Sequence, residues 1–161
     1  MTVDSWQKTF GWIFILLIFF EGPIINYRLP DNLHPFLYEL QIKPYIGSPS
    51  LYGNKSFTFT GEVSINFTCL IPTNKIVLHS KNLDITKYSI ESIESDSIAN
   101  IELMPQFDKD EKTDFLTFYT TDTLESDSNY TLHIEFSGII PNKLFGFYRS
   151  SYLNKEENKI Y

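Results

Sequence analysis

Cysteine is nearly absent: Cys69 stands alone in 161 residues, so no intrachain disulfide can staple the fold and no set of thiolates can hold zinc. Basic clusters are absent as well. Thirteen Lys and Arg against twenty Asp and Glu leave a net charge of −7, and the basic residues are scattered. There is no cationic stripe to neutralise phosphates or anionic headgroups, which excludes nucleic acid as a partner. Histidine is scarce. His34 precedes Pro35, His79 precedes Ser80 and His133 stands beside Ile134; no two lie four residues apart around a glutamate, the spacing that lets one helix present a zinc site and its base. No Gly-x-Ser-x-Gly elbow, no phosphate-cradling glycine loop and no calcium-loop spacing is present. Catalytic and metal-binding residues are therefore expected to be none in this chain.

Long apolar runs are missing with one exception. Trp12 to Phe20 is uninterrupted apolar sequence after Lys8, which suits the charged start and short apolar stretch of a signal peptide. It ends at Glu21, and reaching the roughly 20 apolar residues of a spanning helix would draw Glu21 and Pro23 into lipid. Residues 1–26 are read as a signal peptide or short membrane anchor, the latter left open because Phe20-Glu21-Gly22-Pro23 lacks the small residues of a cleavage site. The rest, 27–161, has room for one domain and is placed outside the cell or on its surface.

What is abundant is aromatic: ten Tyr and fourteen Phe, which with frequent Ile and Thr favour strands. From Ser56 to Phe67 the chain alternates, with Phe57, Phe59, Val63, Ile65 and Phe67 on one parity and Thr58, Thr60, Glu62, Ser64 and Asn66 on the other. That is the period of a half-buried strand, with Gly61 expected at a bulge. Tyr130, Leu132, Ile134 and Phe136 alternate in the same way with Thr131, His133 and Glu135, and Tyr38, Leu40 and Ile42 with Glu39 and Gln41 between Pro35 and Pro44. Shorter runs at 75–79, 83–85, 89–93, 100–104 and 115–119 bring the count to about eight. The stretches 94–100, 106–114 and 154–159, which carry Glu94, Asp96, Asp108, Asp110 and Glu111, read as solvated loops or a frayed tail. No helical period follows the N-terminal segment. The expected fold is an all-β, antiparallel β-sandwich. Cys69 closes the long alternating strand at its apolar end, and is either a buried small hydrophobe or a thiol that pairs with a partner chain.

Three Asn-x-Ser/Thr sequons begin at Asn54, Asn66 and Asn129, none with proline in the middle. Period two sends Asn66 to the wet face, and Asn129 stands at the turn that opens its strand. All three are expected to be open to glycosylation, in agreement with a secretory route.

The blocks Tyr27-Arg28-Leu29-Pro30, His34-Pro35 and Tyr38-Glu39-Leu40-Gln41-Ile42-Lys43-Pro44, then Phe59-Thr60-Gly61-Glu62-Val63-Ser64-Ile65, Asn74 to Ser80, Leu83-Asp84-Ile85, Tyr130 to Gly138 and Gly146-Phe147-Tyr148-Arg149-Ser150-Ser151-Tyr152 resemble, in order, the N-terminal domain of zinc aminopeptidases of the aminopeptidase N type. The resemblance spans Tyr27 to about Tyr152. It implies a saddle-like β-sandwich that packs beside a zinc-bearing catalytic domain and helps wall the pocket for a peptide's free N-terminus. The zinc helix, the motif that holds the substrate amine and the family's substrate-contacting side chain have no counterpart before Tyr161. Zinc therefore belongs to the parent family's catalytic domain and no cofactor is expected in this chain, which alone should hydrolyse nothing.

Two functions are compatible with that reading. In the first, the chain is the N-terminal piece of an aminopeptidase, its partner is the catalytic domain, and an uncovered apolar face is expected near 144–152. In the second, it is a free-standing secreted module that binds a protein or glycan through the same face.

Overall fold

The computed structural model describes residues 26–94, 97–143, 146–151, 153–154 and 159–160. The expected signal peptide or anchor lies outside the described residues, as do Leu144, Phe145 and Tyr152 of the closing block. Among the described residues, no helix is long and apolar enough to cross a membrane.

Eight strands form two antiparallel sheets. The larger sheet runs in the order β1 (Leu33–Tyr45), β2 (Thr58–Cys69), β8 (Asn129–Ile139), β4 (Leu83–Glu94) and β5 (Ser97–Ile101). The smaller has β7 (Phe115–Leu124) between β3 (Thr73–His79) and β6 (Asp108–Asp110). One short helix, α1 (Pro49–Tyr52), and a 3₁₀ turn at Gly53–Lys55 connect β1 to β2. Two-residue strands at Leu153–Asn154 and Lys159–Ile160 pair with each other alone. The all-β sandwich expected from the alternation is what forms.

Period two decides what is buried. In β8 Tyr130, Leu132, Ile134 and Phe136 turn inward, and in β2 Phe59, Ile65, Phe67 and Cys69 do the same. From the smaller sheet Ile76, Leu116, Phe118 and Leu124 meet them, and Ile90 of β4 closes the cluster. Removing these side chains from water supplies the main driving force, about 1.5–3 kcal/mol for each large one. β1 carries Pro35 and Pro44 on the open edge of its sheet, where their missing N–H groups cost no ladder bond.

Several expectations need correction. The runs 83–85 and 89–93 are one strand, β4, interrupted by a register shift between Ile85 and Lys87 that resets the alternation. β5 begins at Ser97, inside the expected loop 94–100, and the expected loop 106–114 holds β6, whose Asp108, Lys109 and Asp110 are all exposed. Gly61 is not a bulge: its pairing with Ile42 and Phe136 is continuous. The shift in the β1–β2 pair falls at Pro35/Leu37 instead. Phe57 lies before β2 with φ of +57°, outside the alternation in which it was counted.

Candidate functional site

The three histidines do not converge. His34 is opposite Thr68 at the exposed start of β1, His79 ends β3 edge-on to the Phe115 ring at 5.0 Å, and His133 lies on the outer face of β8. Among the described residues no three His, Cys, Asp or Glu side chains are arranged to hold a metal ion. Cys69 cannot join them, because it is fully buried, its Sγ–H directed at the Ile71 and Leu124 carbonyls at 3.2 and 3.6 Å. Burial pushes its thiol up from the ordinary value, so it is a protonated core residue, as the first of its two readings had it. The donor set does not fit zinc.

One arrangement on the outer face does bring nucleophile, base and carboxylate together. Ser64 Oγ lies 2.9 Å from His133 Nδ1, and His133 Nε2 lies 3.3 Å from Glu91 Oε1. These side chains project from three neighbouring strands, β2, β8 and β4. The backbone N–H groups around Ser64 belong to the ladder, so none is free to stabilise an oxyanion. Glu39, Glu62 and Glu135 line the same shallow depression with Lys87, which pairs with Glu135 at 3.1 Å, and the excess of carboxylates opposes negative charge there. The relay is a cross-strand polar contact with no catalytic setting around it.

Farther along that face two sequons meet. Asn66 pairs in register with Thr131 and Thr68 with Asn129. Thr131 Oγ1 donates to Asn66 Oδ1 at 2.9 Å and Thr68 Oγ1 to Asn129 Oδ1 at 2.7 Å. Asn129 is exposed and Asn66 half-buried, while Asn54 is exposed in the 3₁₀ turn.

The inner face holds the feature that alternation alone did not reveal. Across the larger sheet Tyr38 is followed by Ile65, Leu132 and Ile90; Leu40 by Val63, Ile134 and Tyr88; Ile42 by Gly61, Phe136 and Ile85. In β2, β8 and β4 these rows build the core. In β1 the same rows are uncovered, with Tyr38 and Leu40 each 57% and Ile42 46% exposed. The smaller sheet does not reach them. A groove of about 450 Å³ runs beside this strip between the segment Tyr27–Leu33 and Ile76–His79 of β3. An uncovered face was expected near 144–152; Phe147 and Tyr148 are 45% and 43% exposed, but Phe147 packs edge-on against Phe59 at 5.4 Å. Among the described residues, the larger uncovered strip is on β1.

Comparison with known proteins adds the lineage. Residues 34–161 match the family model of the Peptidase M1 N-terminal domain. The chain is 32% identical over 141 residues to aminopeptidase N of Bos taurus, covering 86% of this chain and 14% of that protein. It is 32% identical over 138 residues to aminopeptidase N of Homo sapiens, covering 84% of this chain and 14% of that one. With the thyrotropin-releasing hormone-degrading ectoenzyme of Homo sapiens it shares 29% over 141 residues, 86% of this chain and 12% of that protein. The chain thus spans about one-seventh of the length of the curated relatives it matches. The match covers both sheets of the sandwich and the uncovered strip on β1, and on that ground this chain belongs to the family of the Peptidase M1 N-terminal domain.

Proposed function

We propose that this chain serves as the non-catalytic N-terminal domain of a zinc aminopeptidase of the cell surface, and that the inner face of β1 is where the catalytic domain packs. The observation that carries the reading is the strip Tyr38, Leu40 and Ile42. These side chains continue the rows of the hydrophobic core, yet about half of each is exposed. A monomeric domain rarely leaves such a contiguous patch open unless a partner covers it. The size of the relatives supports the choice of partner, since most of each lies outside the matched region. Zinc and the hydrolytic groups belong to that region. The cell surface is supported by one relative that is named an ectoenzyme and by the apolar run 12–20. In the assembled enzyme the role of β1 is to fix the catalytic domain and to help shape its pocket.

The test is sequencing of the transcript across the codon for Tyr161, followed by substitution on β1. A frame that continues into a His-Glu-x-x-His helix supports the proposal, and Leu40→Arg in the full enzyme is then expected to lower its thermal stability and its aminopeptidase yield. A stop codon at that point sinks it and favours the free-standing secreted module. Unchanged stability in Leu40→Arg would place the interface elsewhere.

A further inference from the structure

The two sequons that face each other across β2 and β8 are not equivalent acceptors. Asn66-Phe67-Thr68 and Asn129-Tyr130-Thr131 lie antiparallel and in register, each asparagine opposite the other's threonine. In the folded sheet each threonine hydroxyl donates to the facing carboxamide, at 2.9 Å from Thr131 and 2.7 Å from Thr68. Thr131 is 5% exposed. A transferase that reads the hydroxyl of a sequon therefore finds both hydroxyls engaged once β8 has docked, and must act before β2 and β8 pair.

Synthesis order separates the two. About 60 residues lie between Thr68 and Thr131, which at about 5–20 residues per second takes several seconds. Through that interval β2 has only β1 beside it, with His34 opposite Thr68; the Asn129 carboxamide that accepts the Thr68 hydroxyl has not yet been made, and Asn66 is readable. When Thr131 emerges, β2 is already present. The remainder of β8, to Ile139, follows within about a second, and its pairing with β2 then falls in the range of about milliseconds to seconds expected for non-local strands. Its inward residues Leu132, Ile134 and Phe136 are core residues, so the docking that hides Thr131 is driven by the main hydrophobic cluster.

We infer that Asn66 is the glycosylated member of this pair and that Asn129 stays bare because β2 captures its threonine first. This rests on the secretory reading of the chain. The donor is a lipid-linked oligosaccharide diphosphate. A bond forms from Asn66 Nδ2 to C1 of the first sugar as the C1–O bond to the diphosphate breaks; the lipid diphosphate leaves, and one amide proton passes to base. Asn66 Oδ1 is untouched by the chemistry, so it still accepts the Thr131 hydroxyl after transfer, and the glycan extends from the outer face, away from the uncovered strip on β1.

The full chain is translated in the presence of microsomes that carry the transferase and the lipid-linked donor. Protease protection reports translocation independently of sugar, and peptide-resolved mass spectrometry reports occupancy. The expected result is a protected chain with Asn66 occupied and Asn129 bare. Thr131→Val should leave the glycan count unchanged, and Asn66→Gln should remove one glycan without a gain at Asn129. A protected chain with Asn129 occupied, or with Asn66 bare, overturns the inference and leaves the secretory reading standing. A gain at Asn129 in Asn66→Gln overturns capture as the cause. A chain that is not protected overturns the secretory reading and this inference with it.

Discussion

Phe136 covers Gly61 across the β2–β8 ladder so closely that a Cβ on Gly61 would stand 2.6 Å from Phe136 Cζ and 3.0 Å from the Gln41 carbonyl oxygen. Two residues along each strand the arrangement is inverted, with Phe59 opposite Gly138 and an added Cβ 2.5 Å from its ring. The two rings meet edge to face at 6.3 Å. Each glycine is the space into which the facing ring folds, an aromatic cover that also protects the glycine's backbone.

Gly61→Ala and Gly138→Ala are therefore each expected to lose about 1–3 kcal/mol, the usual cost of forcing extra volume into a packed site. Urea unfolding measures it. Phe136→Leu should recover part of the loss in Gly61→Ala, and that coupling distinguishes ring contact from a general intolerance of alanine. Additive effects of the two changes would refute the account.

Arg149 lays its guanidinium over the Phe57 ring, 4.2 Å from the centroid. Its own N–H donates to the Pro141 carbonyl at 2.9 Å and its Nε to Asn142 Oδ1, so the segment 146–151 is held to the sandwich by these bonds, the cation–π contact and the edge-on packing of Phe147 on Phe59. Phe57 holds φ of +57°, a conformation that a bulky residue keeps only when its surroundings impose it. Its N–H donates to Tyr45 O and its carbonyl accepts from Ile140 N, both at 2.8 Å. Arg149→Ala should cost about 0.5–2 kcal/mol and open the segment to protease. Arg149→Lys should restore less than the wild type, since an ammonium lacks the planar face that stacks on a ring. Equal protection in all three proteins would show that the contact does not hold the segment.

These features differ in how far the sequence announces them. The inward rows of β2 and β8 were legible because one face of each is buried and the alternation is unbroken from Ile65 to Phe67 and from Tyr130 to Phe136. β4 was read as two pieces because the shift at Ile85/Lys87 moves every later side chain to the opposite parity. β6 was missed because Asp108, Lys109 and Asp110 sit at an exposed edge, where charge is what keeps a strand from aggregating and no apolar signal remains. The uncovered strip on β1 was not legible at all: alternation says that Tyr38, Leu40 and Ile42 share a face, but only the reach of the second sheet decides whether that face is covered.

Asp110 gives that edge a pH dependence. Its carboxylate accepts the Lys112 N–H and the Thr113 hydroxyl, both at 2.9 Å, and the first of these chiefly holds its pKa below the ordinary value. A depressed folded value means that the unfolded state binds the proton more readily. The stabilisation is complete above the ordinary carboxylate value and fades as pH falls through the folded one. The protection of the Lys112 and Thr113 amides, taken relative to their intrinsic exchange at each pH, should fall in that acid window. Asp110→Asn, which keeps the acceptor oxygen and loses the charge, should exchange at a rate that no longer depends on the carboxylate's titration. A pH response identical in both proteins would sink the assignment.

Cys69 tests the core itself. It is fully buried, its thiol directed at the Ile71 carbonyl, and the strand end is tied by Cys69 N to Ser128 O at 3.0 Å and Asp127 N to Cys69 O at 2.8 Å. A thiol-specific disulfide reagent at neutral pH should leave the folded chain untouched and modify one equivalent in urea, because the thiolate is the reactive species and burial disfavours it. Rapid labelling of the native chain would instead revive the reading of a thiol that pairs with a partner. The same burial fixes the sign of the alkaline response. The folded pKa lies above the unfolded one, so between the two the folded state holds the proton longer. Stability is then undiminished below the ordinary thiol value and is lost as pH rises through the raised one. Other groups titrate in that range too, and the discriminating quantity is the difference between wild type and Cys69→Ala. That difference in urea midpoint should be constant up to the ordinary thiol value and shrink above it, since the alanine protein has no thiol to ionise on unfolding. A difference that stays flat into strong alkali would mean that Cys69 ionises as readily in the folded chain as in the unfolded one, and that the end of β2 is open to water.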